Sequence, residues 1–223
     1  MWSIALCGQT WGLPRNNRSI EWNSRHYRDY GTFSVRCCST KGACEALLNL
    51  SIDKANNATI GKEGGISAIL ESMEYHCKDA NLQSSGCGVL WNLSMLPDNF
   101  RLVVQERADL AVIGGMKLHE QVCAVQKKGC LALSSLAAID ECRAFLCEGE
   151  TMQVVITAMQ CHDKDAQVQK YAFKFLGTML TSSDSKKVYK SAIAKHESAL
   201  RQAMKLHSDN ADLQKYCCKI FPS

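Results

Sequence analysis

The chain has 223 residues, 46% of them hydrophobic and 22% charged, with 13 cysteines and only three prolines. Those totals suit a helix-rich globular protein and argue against a disordered chain; with no run of about 18 apolar residues, no membrane helix is expected. The net charge of +4 is uneven: residues 1–39 hold five arginines against two acids, and the near-neutral remainder argues against a general nucleic-acid binder.

Residues 1–39 mix Gly, Asn, Ser, Arg and aromatics without a helical period. They are expected to form an irregular or disordered leader, with at most a short helix. Arg15, Arg18, Arg25, Arg28 and Arg36 give it a faint mitochondrial-presequence composition, against which stand Glu21 and Asp29. The basic start and longer apolar core of a secretory signal are missing.

Residues 40–223 read as a repeat array. The stretch VQKKGCLALSSLA, Val125 to Ala137, has the apolar face Gly129, Cys130, Leu133 and Leu136 of one buried helix. It recurs around Gln83 as LQSSGCGVLWNLS, around Gln169 as VQKYAFKFLGTML and around Gln214 as LQKYCCKIF; KGACEALLNLS fits the same frame upstream. The four glutamines lie 43, 43 and 45 residues apart. A second series keeps the same phase: Met73, Met116, Met159 and Met204 each stand three residues before a histidine, His76, His119, His162 and His207. A repeat of this length predicts a stacked array, and such arrays serve as binding surfaces.

Each unit parses into three helices. In the first complete unit a short helix over 56–62 ends at Gly64–Gly65, a second runs from Ile66 to Tyr75, and a long third helix extends through Leu96, broken before Pro97. Four residues before each anchor glutamine stand Asp79, Val122, Asp165 and Asn210, three of which can cap a helix start; Val122 cannot. Pro97–Asp98–Asn99, Asp140 and Asp184 mark the starts of the next short helices. Gly64–Gly65 has weaker echoes in Ala108–Asp109 and Gly149, and none at Lys195–His196.

Cys44, Cys87 and Cys130 share one repeat position beside the buried leucines and read as small core residues. With no CxxC and two pairs of adjacent cysteines, a reduced compartment is expected, cytoplasmic or nuclear rather than mitochondrial. The histidines fall one per unit, on the order of 10 Å apart by helix packing, too far to share a metal whose ligands lie about 2 Å away. A histidine at each helix C-terminus, favoured by the dipole, suffices. Cys161–His162 and His76–Cys77 are sequence neighbours and do not suggest a nucleophile pair. Sequons at Asn49, Asn57 and Asn92 are accidental matches, two of them on packed helices. No cofactor, metal or catalytic constellation is expected.

The better signal is a lysine series. Lys127, Lys170 and Lys215 each follow an anchor glutamine, and Lys174 and Lys219 stand four residues after Lys170 and Lys215. Residues four apart share a helix face, so a basic stripe over the C-terminal half is expected; the competing reading is an ordinary solvated face.

The pattern of short helix, Gly, apolar helix, then VQ-x-x-G/A-C-x-x-L-x-N-L resembles the armadillo repeat. Its clearest copies here are NNATIGKEGGISAILESM followed by LQSSGCGVLWNLS, and VQKKGCLALSSLA. The Met-x-x-His signature is similar to the armadillo segments of leucine-rich-repeat kinases and of protist armadillo proteins. The resemblance covers residues 41–221, about four units. It implies an all-α, right-handed solenoid whose third helices line a concave groove that grips an extended partner chain. Importin-type members repeat a tryptophan and, four residues later, an asparagine along that groove. Here the tryptophan places hold Glu45, Gly88, Leu131 and Lys174, and the asparagine places hold Asn49, Asn92, Ser135 and Thr178. With the tryptophans missing and Trp91 one residue out of register, a receptor for basic import signals is not expected.

The expected function is therefore non-catalytic protein binding, as a scaffold or adaptor for an extended or acidic partner segment. The expected groove residues are Asn49, Asn92, Lys127, Leu131, Lys170, Lys174, Lys215 and Lys219. The alternative is nucleic-acid or anionic-lipid binding through the same lysines, or a fragment of a larger multidomain signalling protein.

Overall fold

The computed structural model describes residues 2–6, 9–13, 41–148, 150–181 and 183–221. Near the start, β1 (Trp2–Leu6) pairs antiparallel with β2 (Gln9–Leu13), where the sequence predicts irregular chain. The rest of the predicted leader lies outside the described residues. Everything described from Lys41 onward is helical or connects helices.

The helices come in threes. The last helix of a unit opens the series, α1 (Lys41–Leu50). Then follow α2 (Lys54–Lys62), α3 (Gly65–Tyr75) and α4 (Ala80–Leu93). The next unit begins with a 3-10 turn at Pro97–Asn99 running into α5 (Phe100–Gln105), then α6 (Ala108–Leu118) and α7 (Cys123–Leu136). The third is α8 (Asp140–Glu148), α9 (Thr151–Cys161) and α10 (Ala166–Met179). The last is α11 (Ser183–Lys195), α12 (Glu197–Leu206) and α13 (Ala211–Ile220). The third helices α1, α4, α7, α10 and α13 pack side by side in chain order, and α3, α6 and α9 adjoin in the same order.

The repeated side chains account for this packing. Each anchor glutamine lies on a third helix and seals the end of the second helix of its own unit. Gln83 Nε2 donates to the carbonyls of Met73 (2.7 Å) and His76 (3.3 Å). Gln126 does the same to Met116 and His119, both at 2.8 Å, and Gln169 to Met159 and His162 at 2.8 and 3.0 Å. Gln214 reaches Met204 and His207, both at 3.0 Å. The last carbonyls of a helix have no partner within it; the amide gives the methionine carbonyl a partner and adds a second donor to the histidine carbonyl, which also accepts the backbone N–H three residues on.

The methionine belongs to the same joint. A Cβ on Gly86 would lie 2.5 Å from Met73 Sδ, and one on Gly129 would lie 2.4 Å from Met116 Cγ. The third helix gives up a side chain at that point so that the second-helix methionine can lie against its backbone.

Three of the four histidines hold one unit to the next, while the Nε2 of His76, the first of the series, is buried with no hydrogen-bond partner among the described residues. Each is the C-cap of its helix. His119 Nε2 donates to the carbonyl of Cys77 at 2.7 Å, His162 to Glu120 at 2.8 Å and His207 to Asp163 at 2.6 Å. The ring thus reaches back to the turn of the unit before it. All four stand at a helix C-terminus as the sequence predicts, and three of them add this bond between units.

The capping expectations hold at each position. Asp79, Asp165 and Asn210 accept from backbone N–H groups one turn on, while Val122 takes the same extended conformation with no side-chain bond. Asp53 caps α2, a start two residues ahead of the predicted one. The third helix α4 stops at Leu93, three residues before the predicted Leu96. The left-handed residue that opens α3 is Gly64, with φ 78°. Its counterpart is Arg107, with φ 53°, not the predicted Ala108–Asp109 echo. Arg107 is held there by two hydrogen bonds to the buried Asp109 and by its guanidinium 4.1 Å from the Phe145 ring centre.

The core runs the length of the array. Leu47, Leu90, Leu133 and Leu176 are all buried, as are Cys44, Cys87 and Cys130. Burial pushes the Cys87 and Cys130 thiols up to about 12. Leu50 departs from its series: Leu93, Leu136 and Met179 are fully buried but Leu50 is 48% exposed. Among the described residues α1 adjoins one third helix, whereas α4, α7 and α10 lie between two. Cys87, Cys123, Cys130, Cys142, Cys161, Cys217 and Cys218 carry free thiols; Cys77 is disulfide-bonded, where the sequence predicts free thiols.

Candidate binding groove

A cavity of about 800 Å³ opens across the row of third helices. Its lining runs obliquely: the C-terminal ends of α1 and α4, the middle of α7, then the first turns of α10. Helix ends set this path. Ser94 caps α4, after which Met95 and Leu96 turn back along the rim. Asp165 starts α10 with hydrogen bonds to Gln167 and Val168, which brings Gln167 and Tyr171 to the far wall.

The floor is apolar, built from Leu48, Trp91 and Leu131. Gly88, the second tryptophan place of the resemblance, has a direct role. A Cβ there would lie 2.8 Å from Leu48 Cδ1 and 3.3 Å from the Lys128 stem. Glycine therefore lets both side chains close over α4.

Four of the eight sequence-predicted groove residues line this cavity: Asn49, Asn92, Lys127 and Leu131. Asn49 is exposed. Asn92 is 8% exposed and belongs to a buried network: its Nδ2 donates to Ser51 Oγ at 2.8 Å and to the Leu48 carbonyl at 3.3 Å. Its own carbonyl accepts from Asn57, which in turn accepts from Asn99 at 2.8 Å. The sequons at Asn57 and Asn92 are thus folded into packing between units.

The other four lie on α10 and α13 and do not line the cavity. Lys170 is paired with Asp212 of the next unit at 2.5 Å, an acid that the lysine series alone does not reveal. That hydrogen bond holds Asp212 below the usual carboxylate range. Lys174 is half-buried, and burial, then the charge of Lys170, lower its pKa. Lys215 and Lys219 are exposed, with the Lys219 ammonium 5.8 Å from the Tyr216 ring centre.

The cavity also brings in Lys54, Lys128, Trp91 and Tyr171, which the repeat reading did not choose. The signal for Lys128 was present, since it follows Lys127 on the polar side of the same helix. Burial is the main cause that lowers the Lys128 pKa. Three lysines and no acid line the space. Among the described residues none of the three lysines forms an ion pair. No group of His, Cys, Asp and Glu able to hold a metal occurs among the described residues.

The family model described as "Protein zer-1 homolog-like, C-terminal domain" matches residues 71–221. The chain belongs to this family. It is an armadillo-like helical family of substrate-adaptor domains, non-catalytic in general. A protein-interaction role follows at that level. The match begins within α3, so it covers the α4, α7 and α10 walls of the cavity, while the α1 wall lies before it. A comparison with curated proteins finds no match. No helix among the described residues is long and apolar enough to cross a membrane.

Proposed function

We propose that this chain is a non-catalytic adaptor module that holds an extended segment of a partner protein along its third helices. In this reading the units are armadillo repeats coiled into a right-handed solenoid, and the cavity is its concave groove. The observation that carries the proposal is the cavity itself: about 800 Å³, crossing four successive third helices, with apolar Leu48, Trp91, Met95 and Leu131 beside polar side chains and three lysines. Interfaces combine apolar anchoring area with polar groups in this way. Side-by-side helices sit about 10 Å apart, so four of them span on the order of 30 Å. An extended chain covers that in about nine residues. Membership in a family of substrate-adaptor domains supports the same reading.

The test is affinity capture from the source cell with the whole chain, followed by mass spectrometry. A Trp91→Ala, Leu131→Ala variant with unchanged helicity should lose the captured protein. A Lys195→Ala variant, changed on α11, should keep it. Retention by the groove variant would remove the groove from the function.

A further inference from the structure

Lys127 and Lys128 are consecutive residues of one helix, yet both line the cavity, and both are half-buried. Lys128 is placed by its stem, which runs over Gly88, and burial lowers its pKa. Glu45 on α1 acts on Lys128 through space, and Asp165 and Lys127 interact across the start of α10. Asp165 is already engaged by Cys123 Sγ–H and by the backbone N–H groups of Gln167 and Val168. Neither acid comes within ion-pair distance of these lysines among the described residues. Lys170, on the next helix, has its partner in Asp212. The unsatisfied positive charge of the groove is therefore concentrated at α7, beside the apolar floor of Trp91, Leu48 and Leu131.

We propose that this end of the groove receives an internal acidic side chain of the extended partner segment. Its carboxylate sits on the Lys127 and Lys128 ammoniums, and a neighbouring apolar side chain enters the cleft beside Trp91. The inference rests on the peptide-binding reading above and adds the charge and place of the occupant. Two features select this occupant. Three lysines without a lining acid favour an anion, and a half-desolvated ammonium gains more from a carboxylate than one in bulk water. The oblique path, which continues past α7 to both α4 and α10, suits a chain that passes through rather than one that ends there.

The experiment selects nine-residue random peptides, displayed with both ends joined to flanking linker, on the whole chain. The expected winners carry Asp or Glu next to an aromatic or aliphatic residue. For one such peptide, Lys127→Met with Lys128→Met should weaken binding at least tenfold. Lys215→Met with Lys219→Met should change it less than twofold. The peptide's own Asp→Asn change, which leaves the protein untouched, should reproduce the loss. Winners without acids, or winners indifferent to the α7 lysines, would overturn this inference while leaving peptide binding intact. No enrichment by the folded chain would overturn both. An oligothymidylate that displaces the peptide and depends on Lys127 and Lys128 more strongly than the peptide does would assign the lysines to nucleic acid instead.

Discussion

Gln126 on α7 and His119 at the end of α6 are joined by a 2.8 Å hydrogen bond from Gln126 Nε2 to the His119 carbonyl, and the same Nε2 bonds Met116. Both residues belong to series with a period of 43 to 45 residues, so the bond occurs four times in all. Gln126→Leu should leave the Met116 carbonyl without its partner, while the His119 carbonyl keeps the Val122 N–H at 2.9 Å, and should cost about 1–3 kcal/mol. Urea denaturation reads it directly. An unchanged midpoint would mean that the bond does not hold α6 to α7.

Among the described third-helix caps Val122 is the one without a side-chain acceptor, although its backbone already has the capping conformation. Val122→Asp should therefore stabilise the chain by roughly 0.5–2 kcal/mol, the usual value of a cap. The thermal midpoint should rise. A fall would show that the Val122 side chain packs in a way worth more than the cap.

Arg107 combines a left-handed backbone with an ion pair to a carboxylate that is 3% exposed. Arg107→Ala removes the partner of that carboxylate and should cost roughly 3 kcal/mol, the low end for a buried pair because the arginine side chain is 24% exposed. Arg107→Gly loses the same pair but relieves the backbone, so it should be less destabilised by about 1–2 kcal/mol. Equal losses in the two variants would remove the strain from this account.

The buried thiols give a pH dependence. Cys87 and Cys130 are raised from 9.0 to about 12 by burial. Below pH 9 both states carry the proton and stability is unaffected. Between 9 and 12 the unfolded chain releases protons that the folded one keeps, so stability falls as pH rises, by about 1.4 kcal/mol per unit and thiol. Denaturation midpoints at pH 8 and 10.5 measure it. A thiol reagent at pH 8 should modify the exposed Cys161 and Cys218 and reach Cys87 and Cys130 only on unfolding.

The helical units were legible because their signals are local or periodic. Asp79, Asp165 and Asn210 announce helix starts by their own side-chain chemistry, and the Gln, Met and His series fix the phase. What the periods are for was not legible. A histidine that bonds the turn 42 to 44 residues earlier looks the same in sequence as one placed at a dipole end. Arg107 was missed because arginine does not signal a left-handed backbone; Asp109 and Phe145 hold it there. The groove was half legible. Face arithmetic on one helix finds Lys127 and Leu131, but the pairing of Lys170 with Asp212 depends on how adjacent units are rotated. Lys128 enters the cavity only because Gly88, on the neighbouring helix, has no side chain.

The most direct measurement is site-resolved photo-crosslinking to the captured partner. A photoreactive residue replaces Asn49 or Leu131 in the groove, or Tyr75 or Val188, which are exposed on α3 and α11. The account predicts that the partner crosslinks from Asn49 and Leu131 and from neither Tyr75 nor Val188. Crosslinks from Tyr75 or Val188 with none from the two groove positions would contradict it.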